Sequence, residues 1–296
     1  VRKVARGGMA ELYLADYLRE DGFRKKVALK RILPHLSENP EFIQMFIREA
    51  RVAALLQHPN IVQIFDYGRI DHAYFIAMEY IDGKNLAEVL AAKENGLEVE
   101  PAVFIISRVC KGLVYSHSRK SDDTGEPMSI IHRDITPQNL LISYEGEVKI
   151  SDFGISKTRS EPSLTQAGVI KGKMAYLAPE QTLGEAADHR ADIYALGLVF
   201  HETLTGQRVY QFNSDVEALR EIPRFEIPSV RSLIPAVPEE LDRIVMKCLV
   251  KNIEERYQDA AELYGDLTAF RKNFNLVFDT SDLADFMNRL FDQADR

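Results

Sequence analysis

His132-Arg133-Asp134 is followed, five residues after its aspartate, by Asn139, and then by Asp152-Phe153-Gly154. No other stretch of the chain restricts the fold as tightly. The order sets a carboxylate able to receive a hydroxyl proton ahead of an amide and a second carboxylate, both oxygen donors suited to a hard divalent cation. For these groups to meet, the segments carrying them must be two loops of one lobe. The arrangement points to phosphoryl transfer, where a protein mainly neutralises charge and fixes geometry.

At 296 residues and 33.7 kDa the chain can bury one large core or two modest ones. Its 46% hydrophobic and 28% charged residues are an ordinary globular balance. No apolar run approaches the roughly 20 residues that span a bilayer. The chain starts at Val1 without initiator methionine or signal-peptide pattern. The expectation is therefore a cytoplasmic fragment, its first strand truncated, with any membrane anchor outside it. Cys110 and Cys248 are far apart, each within a helical apolar pattern, and are expected to be buried free thiols. A formal net charge of −8 argues against a nucleic-acid partner. The basic clusters Arg2, Lys3, Arg6 and Arg24, Lys25, Lys26 are short enough to be solvated or phosphate-facing surface.

Residues 1–33 alternate and turn like strands, with Asp21-Gly22 as a break. Asn39-Pro40-Glu41 reads as a helix start: cap, proline at the first position, acidic first turn. That helix carries Phe42, Phe46, Glu49, Ala53 and Leu56 along one side and ends before His58-Pro59-Asn60. Strand patterns return at Ile61–Tyr67 and Ala73–Tyr80, and Asp82-Gly83 closes the first lobe. From there the pattern is helical, with 102–117 and the almost uniformly apolar Ile193–Leu204 expected to be central. The fold class is α+β, bilobal: a small antiparallel sheet lobe with one key helix (1–81), a larger helical lobe (82–275) and a helical extension (276–296). The polar signature residues fall at the junction, where a bound nucleotide is usually found.

Lys30 sits in a strand pattern and Glu49 lies nineteen residues on, facing inward from the first helix. A lysine among apolar neighbours needs a partner, and Glu49 can orient it toward the α- and β-phosphates. Asp152 can ligate Mg²⁺, Asn139 offers an oxygen to a second ion, and Asp134 can take the hydroxyl proton. Arg133 is placed to pair with a phosphate on the segment that follows.

With these pieces, the chain resembles the bacterial eukaryotic-like (Hanks-type) Ser/Thr protein kinases over about residues 1–272. The match rests on Ala5 to Leu12, Val27-Ala28-Leu29-Lys30, Glu49, His132 to Asn139, Asp152-Phe153-Gly154, Ala178-Pro179-Glu180, Asp192 and Arg256. The polar insert Ser118–Ser129, Thr136 to Ser143 and Gly172-Lys173 are similar to kinases of myxobacteria and related Gram-negative lineages. The resemblance implies ATP with Mg²⁺, Mn²⁺ being an alternative ion, and protein substrates in bacterial signalling. It implies adenine contacts from the backbone of Glu79 and Ile81, Met78 as gatekeeper, and Val4, Leu12, Ala28 and Leu141 around the ring. It further implies a buried Glu180–Arg256 ion pair, Asp192 bracing the catalytic loop, and Thr165 as the autophosphorylated residue, modified in trans through transient self-association.

Two departures stand out. Ala5 and Ala10 replace the first and third glycines of the glycine-rich loop, leaving Gly7 and Gly8 to approach phosphate; a stiffer lid is expected. Thr136 occupies the usual position of a lysine that reaches the γ-phosphate, and Lys173 the usual position of a threonine. The expectation is an exchange, with Lys173 supplying the positive charge beside Asp134. The alternative is a pseudokinase scaffold that binds nucleotide with little transfer; small-molecule phosphotransferases fit less well because Asp152 to Glu180 makes a complete peptide platform. Ile-Thr-Pro-Gln after Asp134 favours Ser/Thr over tyrosine acceptors.

At the C-terminus, Leu283, Phe286, Met287, Leu290 and Phe291 form an apolar stripe on a helix capped by Thr280 or Ser281. The expected partner of the stripe is the chain's own large lobe, with a second protomer or another protein docking on 280–296 as the alternative.

Overall fold

The computed structural model describes residues 1–18, 21–70, 73–153, 174–185, 187–212 and 214–291. Alternating strands build the first lobe: β1 (Arg2–Arg6), β2 (Ala10–Leu18) and β3 (Arg24–Ile32) precede helix α1 (Pro40–Ala54), and β4 (Ile64–Ile70) and β5 (Ala73–Glu79) follow it. All pairings are antiparallel, in the order β1-β2-β3-β5-β4. The Asn39 side chain accepts from the Glu41 N–H and Pro40 opens α1, as the sequence predicts. Phe46 and Ala50 of α1 pack on Ile32, Leu33 and Ile76, fixing the helix against the sheet.

Strand β4 starts later than the Ile61–Tyr67 pattern suggests. Ile61 and Val62 are spent on the large lobe instead: Ile61 bridges Ile150, and the Val62 N–H donates to the Ile150 carbonyl at 2.9 Å. The apolar signal there is real but answers to inter-lobe burial.

The second lobe opens with β6 (Gly83–Asn85), α2 (Leu86–Ala92) and the long α3 (Val99–Ser118). The hairpin β7 (Leu140–Ser143) and β8 (Val148–Ile150) pairs with β6 to form a three-stranded sheet. Then come α4 (Pro179–Thr182), α5 (Arg190–Thr205), α6 (Asp215–Glu221), α7 (Val230–Leu233), α8 (Glu239–Cys248), α9 (Ala260–Asn273) and α10 (Thr280–Leu290). Helix α5 is buried from Ala191 to Thr205, the central position its uniform hydrophobicity demands. Gly112 lets α3 close on β8: a Cβ there would stand 2.7 Å from the Ile150 side chain. Cys110 and Cys248 are buried free thiols, and burial pushes both well above the ordinary thiol value. The insert after α3 folds back as a small hairpin, Lys120 bridging Pro127 and Gly125 turning at φ +71°.

Helix α10 buries its stripe on the chain's own large lobe. Leu283 and Met287 are fully enclosed, with Phe286 and Leu290 packed beside them. Its cap is neither Thr280 nor Ser281 but Asp279, whose carboxylate accepts from the Ser281 and Asp282 N–H groups. Asp282 returns the bond to the Asp279 N–H at 2.8 Å, so an Asp-x-x-Asp box outcompetes the hydroxyls. Among the described residues no helix is long and apolar enough to cross a membrane.

Candidate active site

Strand β3 delivers Lys30 and helix α1 delivers Glu49 to the junction, where the chain after β8 delivers Asp152. The Lys30 ammonium lies 2.9 Å from Glu49 Oε1 and 2.7 Å from Asp152 Oδ1. Burial works against the Lys30 charge, but the Asp152 and Glu49 carboxylates outweigh it and hold the group above the ordinary lysine value. Asp152 is held low, chiefly by the Lys30 ammonium. Glu49 moves upward because its burial outweighs the pull of Lys30. The cation and Asp152 thus stay charged at neutral pH, with Glu49 as the more deeply placed brace.

The loop between α3 and β7 is held from behind. Asp192, at the start of α5, is 1% exposed. It accepts from the His132 and Arg133 N–H groups, both at 2.7 Å, and from His117 Nε2 at 2.9 Å. Burial alone would raise this carboxyl, but these partners, led by His117, keep it low. His132 Nδ1 accepts from the Asp134 N–H, which leaves Nε2–H to donate to the Ser151 carbonyl at 3.0 Å. The same ring lies 4.6 Å from that of Phe153. Arg133 and Asp152 adopt φ of +64° and +56°, a left-handed conformation uncommon for residues with a Cβ. Such strain persists only where the surroundings impose it, and here Asp192 and Lys30 do.

Asn139 donates its amide nitrogen to the Asp134 carbonyl at 2.8 Å and to Asp134 Oδ2 at 3.2 Å. That leaves the amide oxygen as the atom it could offer to a metal ion. Thr136 is buried next to this loop, immediately before the helical turn Pro137–Asn139. Glu180 and Arg256 form a two-pronged pair, 2.8 and 3.1 Å, with the Arg256 side chain wholly enclosed.

Ala28 and Met78 are buried together with Val62, and Leu12, Ile81 and Leu141 pack against them. Of the residues expected around an adenine ring, Val4 alone stands outside this cluster, half-exposed on β1. Glu79 is tied to a buried lysine: Lys149 Nζ lies 2.9 Å from Glu79 Oε1. Gly7 donates to the Ala10 carbonyl at 2.9 Å, and Ala5 and Ala10 both keep ordinary negative φ. Gly154, Thr165 and Lys173 lie outside the described residues.

Lys149 and His117 escaped the sequence reading. A lone charge between Val148 and Ile150 was the available signal for Lys149; His117, on the polar end of a long helix, carried none.

The protein kinase domain model matches residues 1–265. The chain belongs to the protein kinase family. Curated relatives include a protein named tyrosine-protein kinase MasK of Myxococcus xanthus, 42% identical over 90% of this chain and 41% of its own length. Serine/threonine-protein kinase PrkC of Bacillus subtilis is 36% identical over 91% of this chain and 40% of its own. The chain therefore spans about two fifths of the length of these relatives. Among solved structures, the PknI kinase domain of Mycobacterium tuberculosis superposes with a TM-score of 0.68 at 28% identity, covering 91% of this chain and 93% of that one. The bilobal architecture expected from the motifs is the one observed.

Proposed function

We propose that this domain transfers the γ-phosphoryl group of ATP to protein Ser/Thr hydroxyls. The observation that supports the reading best is the meeting of Lys30, Glu49 and Asp152 within hydrogen-bond distance, across two lobes and 122 residues of chain. Lys30 would orient the α- and β-phosphates. Asp152 and Asn139 present oxygen atoms only and too few of them to enclose an ion, which suits one that keeps water and phosphate oxygens, as Mg²⁺ does. Bound there, Mg²⁺ or Mn²⁺ would neutralise phosphate charge. Asp134 would take the proton of the acceptor hydroxyl as its oxygen bonds to the γ-phosphorus, the bond to the β–γ bridging oxygen breaks, and ADP departs.

Three finer parts belong to the same proposal. Glu79, Ile81 and Met78 receive adenine between Leu12, Ala28 and Leu141, with Val4 and Gly7-Gly8 above. Lys173 takes over the charge missing at Thr136. Thr165 is autophosphorylated in trans, through transient self-association, and then pairs with Arg133. The acceptor class rests on the Ile-Thr-Pro-Gln loop after Asp134, and relatives bear names of both kinds, so phosphoamino-acid analysis is part of the test.

The deciding experiment is phosphate transfer from radiolabelled ATP, with Mg²⁺, to a generic protein acceptor. Asp134→Asn is expected to keep Mg-nucleotide binding and lower kcat by about 10²–10⁴-fold, the usual worth of a positioned base. Undiminished transfer by that variant would overturn the mechanism. A parent chain that binds nucleotide and transfers nothing would favour the pseudokinase reading, for which Thr136 and the altered glycine-rich loop are the motives. Lys173→Met is expected to lower kcat at saturating substrates; an unchanged kcat would place that charge in solvent.

A further inference from the structure

The hairpin β7–β8 carries a candidate metal ligand at each foot, Asn139 just before it and Asp152 just after. Its base is closed by the Ser151 N–H on the Asn139 carbonyl at 2.8 Å. Its other end meets helix α10. Gly146, at φ +82° in the turn, lies so close that a Cβ would stand 1.9 Å from the Thr280 carbonyl oxygen and 2.9 Å from the Ala284 nitrogen. One residue pair further, Asn288 Nδ2 donates to the Tyr144 carbonyl at 3.1 Å. The Tyr144 N–H in turn donates to the Asp82 carbonyl at 2.9 Å, at the entry to β6. Lys84 of β6 places its ammonium 5.4 Å from the Phe291 ring centroid. Helix α10 therefore touches both the hairpin turn and the strand that follows the inter-lobe connection.

The helix is itself well anchored. Leu283 and Met287 are fully buried. The lead-in segment is pinned by Arg271, which donates to the Phe278 carbonyl at 2.8 Å, and by the edge contact of Phe278 on Phe104 of α3. Helix α10 and its lead-in segment lie beyond residue 265, where the match to the kinase domain model ends.

We infer that α10 is a positioning element for the nucleotide site: a brace that holds β6 and the β7–β8 hairpin in register, with Asn288, Phe291 and the Gly146 contact as its working points. The inference rests on the nucleotide-binding reading above. No α10 residue reaches the reacting atoms; the helix acts through Tyr144, Gly146 and Lys84. Asn139, Leu141 and Asp152 all belong to or flank the braced hairpin. Loosening it is expected to weaken nucleotide and metal binding together, leaving peptide binding alone. The contacts of the helix with Tyr144, Gly146 and Lys84 all fall on the large-lobe side of the cleft.

The test is Mg-ADP titration by calorimetry on the full chain, which needs no phosphoryl transfer, beside ATP and peptide kinetics. The variant Asn288→Ala with Phe291→Ala is expected to bind Mg-ADP about three- to tenfold more weakly, the size set by one hydrogen bond and one cation–π contact. KM for ATP should rise in step with KM for peptide unchanged, and the single variant Phe291→Tyr, which keeps the ring under Lys84, should bind Mg-ADP like the parent. Gly146→Ala is the second variant; its methyl must displace the α10 backbone, and faster amide exchange over 280–291 is the sign that it has. Parent-like Mg-ADP affinity in the variant that has lost exchange protection in α10 would overturn the inference. So would a loss of affinity accompanied by equal loss of peptide affinity and of exchange protection throughout the large lobe, which marks general destabilisation. A parent that binds Mg-ADP but transfers no phosphate would overturn the transfer mechanism and leave this measurement intact.

Discussion

Strand β1 and the β7–β8 hairpin contribute to the same cleft from different lobes, and they are held to very different degrees. Every residue of β1 is exposed, and among the described residues it pairs with β2 alone. In the two strands of the hairpin every residue but Leu141 is buried; α3 closes over one side through Gly112 and α10 abuts the turn. The roof is a ribbon with a single neighbour, whereas the floor is locked between helices. What the contrast teaches is that this site divides its tasks. Groups that must not move, Asp134, Asn139 and Asp152, sit on backbone that is over-determined, even strained. The groups proposed only to cover a ligand, Gly7 and Gly8, sit in a turn closed by the Gly7 N–H on the Ala10 carbonyl.

The largest effect is expected from an enclosed ion pair elsewhere in the lobe that carries the floor. Arg256→Leu removes one member of an enclosed ion pair and leaves Glu180 without its partner. The expected cost is about 3–5 kcal/mol, read as a lower Tm together with lost transfer. A Tm unchanged from the parent would show that the platform is held by packing alone.

Asp192→Asn attacks the floor nearer the chemistry. It replaces a carboxylate that accepts from two backbone N–H groups and His117, at an expected cost of about 1.5–3 kcal/mol near neutral pH. The sign of its pH dependence follows from the direction of the shift. The folded carboxyl is held below its unfolded value, so its stabilisation is complete above about pH 4 and is lost as pH falls through the folded value. The stability gap between parent and variant should therefore be full at pH 7 and close on acidification. A gap that widened toward acid would refute the assignment. Because Arg133 holds its left-handed conformation through Asp192, kcat should fall along with stability.

The smallest effect is expected in the roof. Ala5→Gly with Ala10→Gly loosens strand positions that already have ordinary φ, at about 0.5–1 kcal/mol each in local order. With β1 exposed throughout, little of that reaches the core, so Tm should barely change while KM for ATP shifts a few-fold. A large fall in Tm would mean that β1 carries structural weight its burial does not suggest.

The same division explains what could be read from the sequence. Lys30, Glu49, His132 to Asn139 and Asp152 were legible because their chemistry fixes residue type and order along the chain. Helix α1 was legible because Asn39-Pro40 and the spacing from Phe46 to Ala53 are local signals. Lys149 and His117 were not, because their partners, Glu79 and Asp192, are remote and nothing nearby announces them. Gly146 has no local signal either, because what crowds it is Thr280, far along the chain. The start of β4 departs from its sequence pattern for a related reason: Ile61 and Val62 have strand character but use it to bridge Ile150. The cap of α10 went to Asp279 because three adjacent residues can all cap, and only the reciprocal bond from Asp282 chooses among them.

The two buried thiols give this protein a built-in clock. Cys110 belongs to α3 and Cys248 to α8, both almost wholly enclosed, and burial keeps both sulfurs in the protonated, unreactive form. An alkylating reagent can reach them only when the helical lobe opens. The rate of labelling thus counts openings of that lobe directly, and a nucleotide that tightens the cleft without altering those openings would leave the count unchanged.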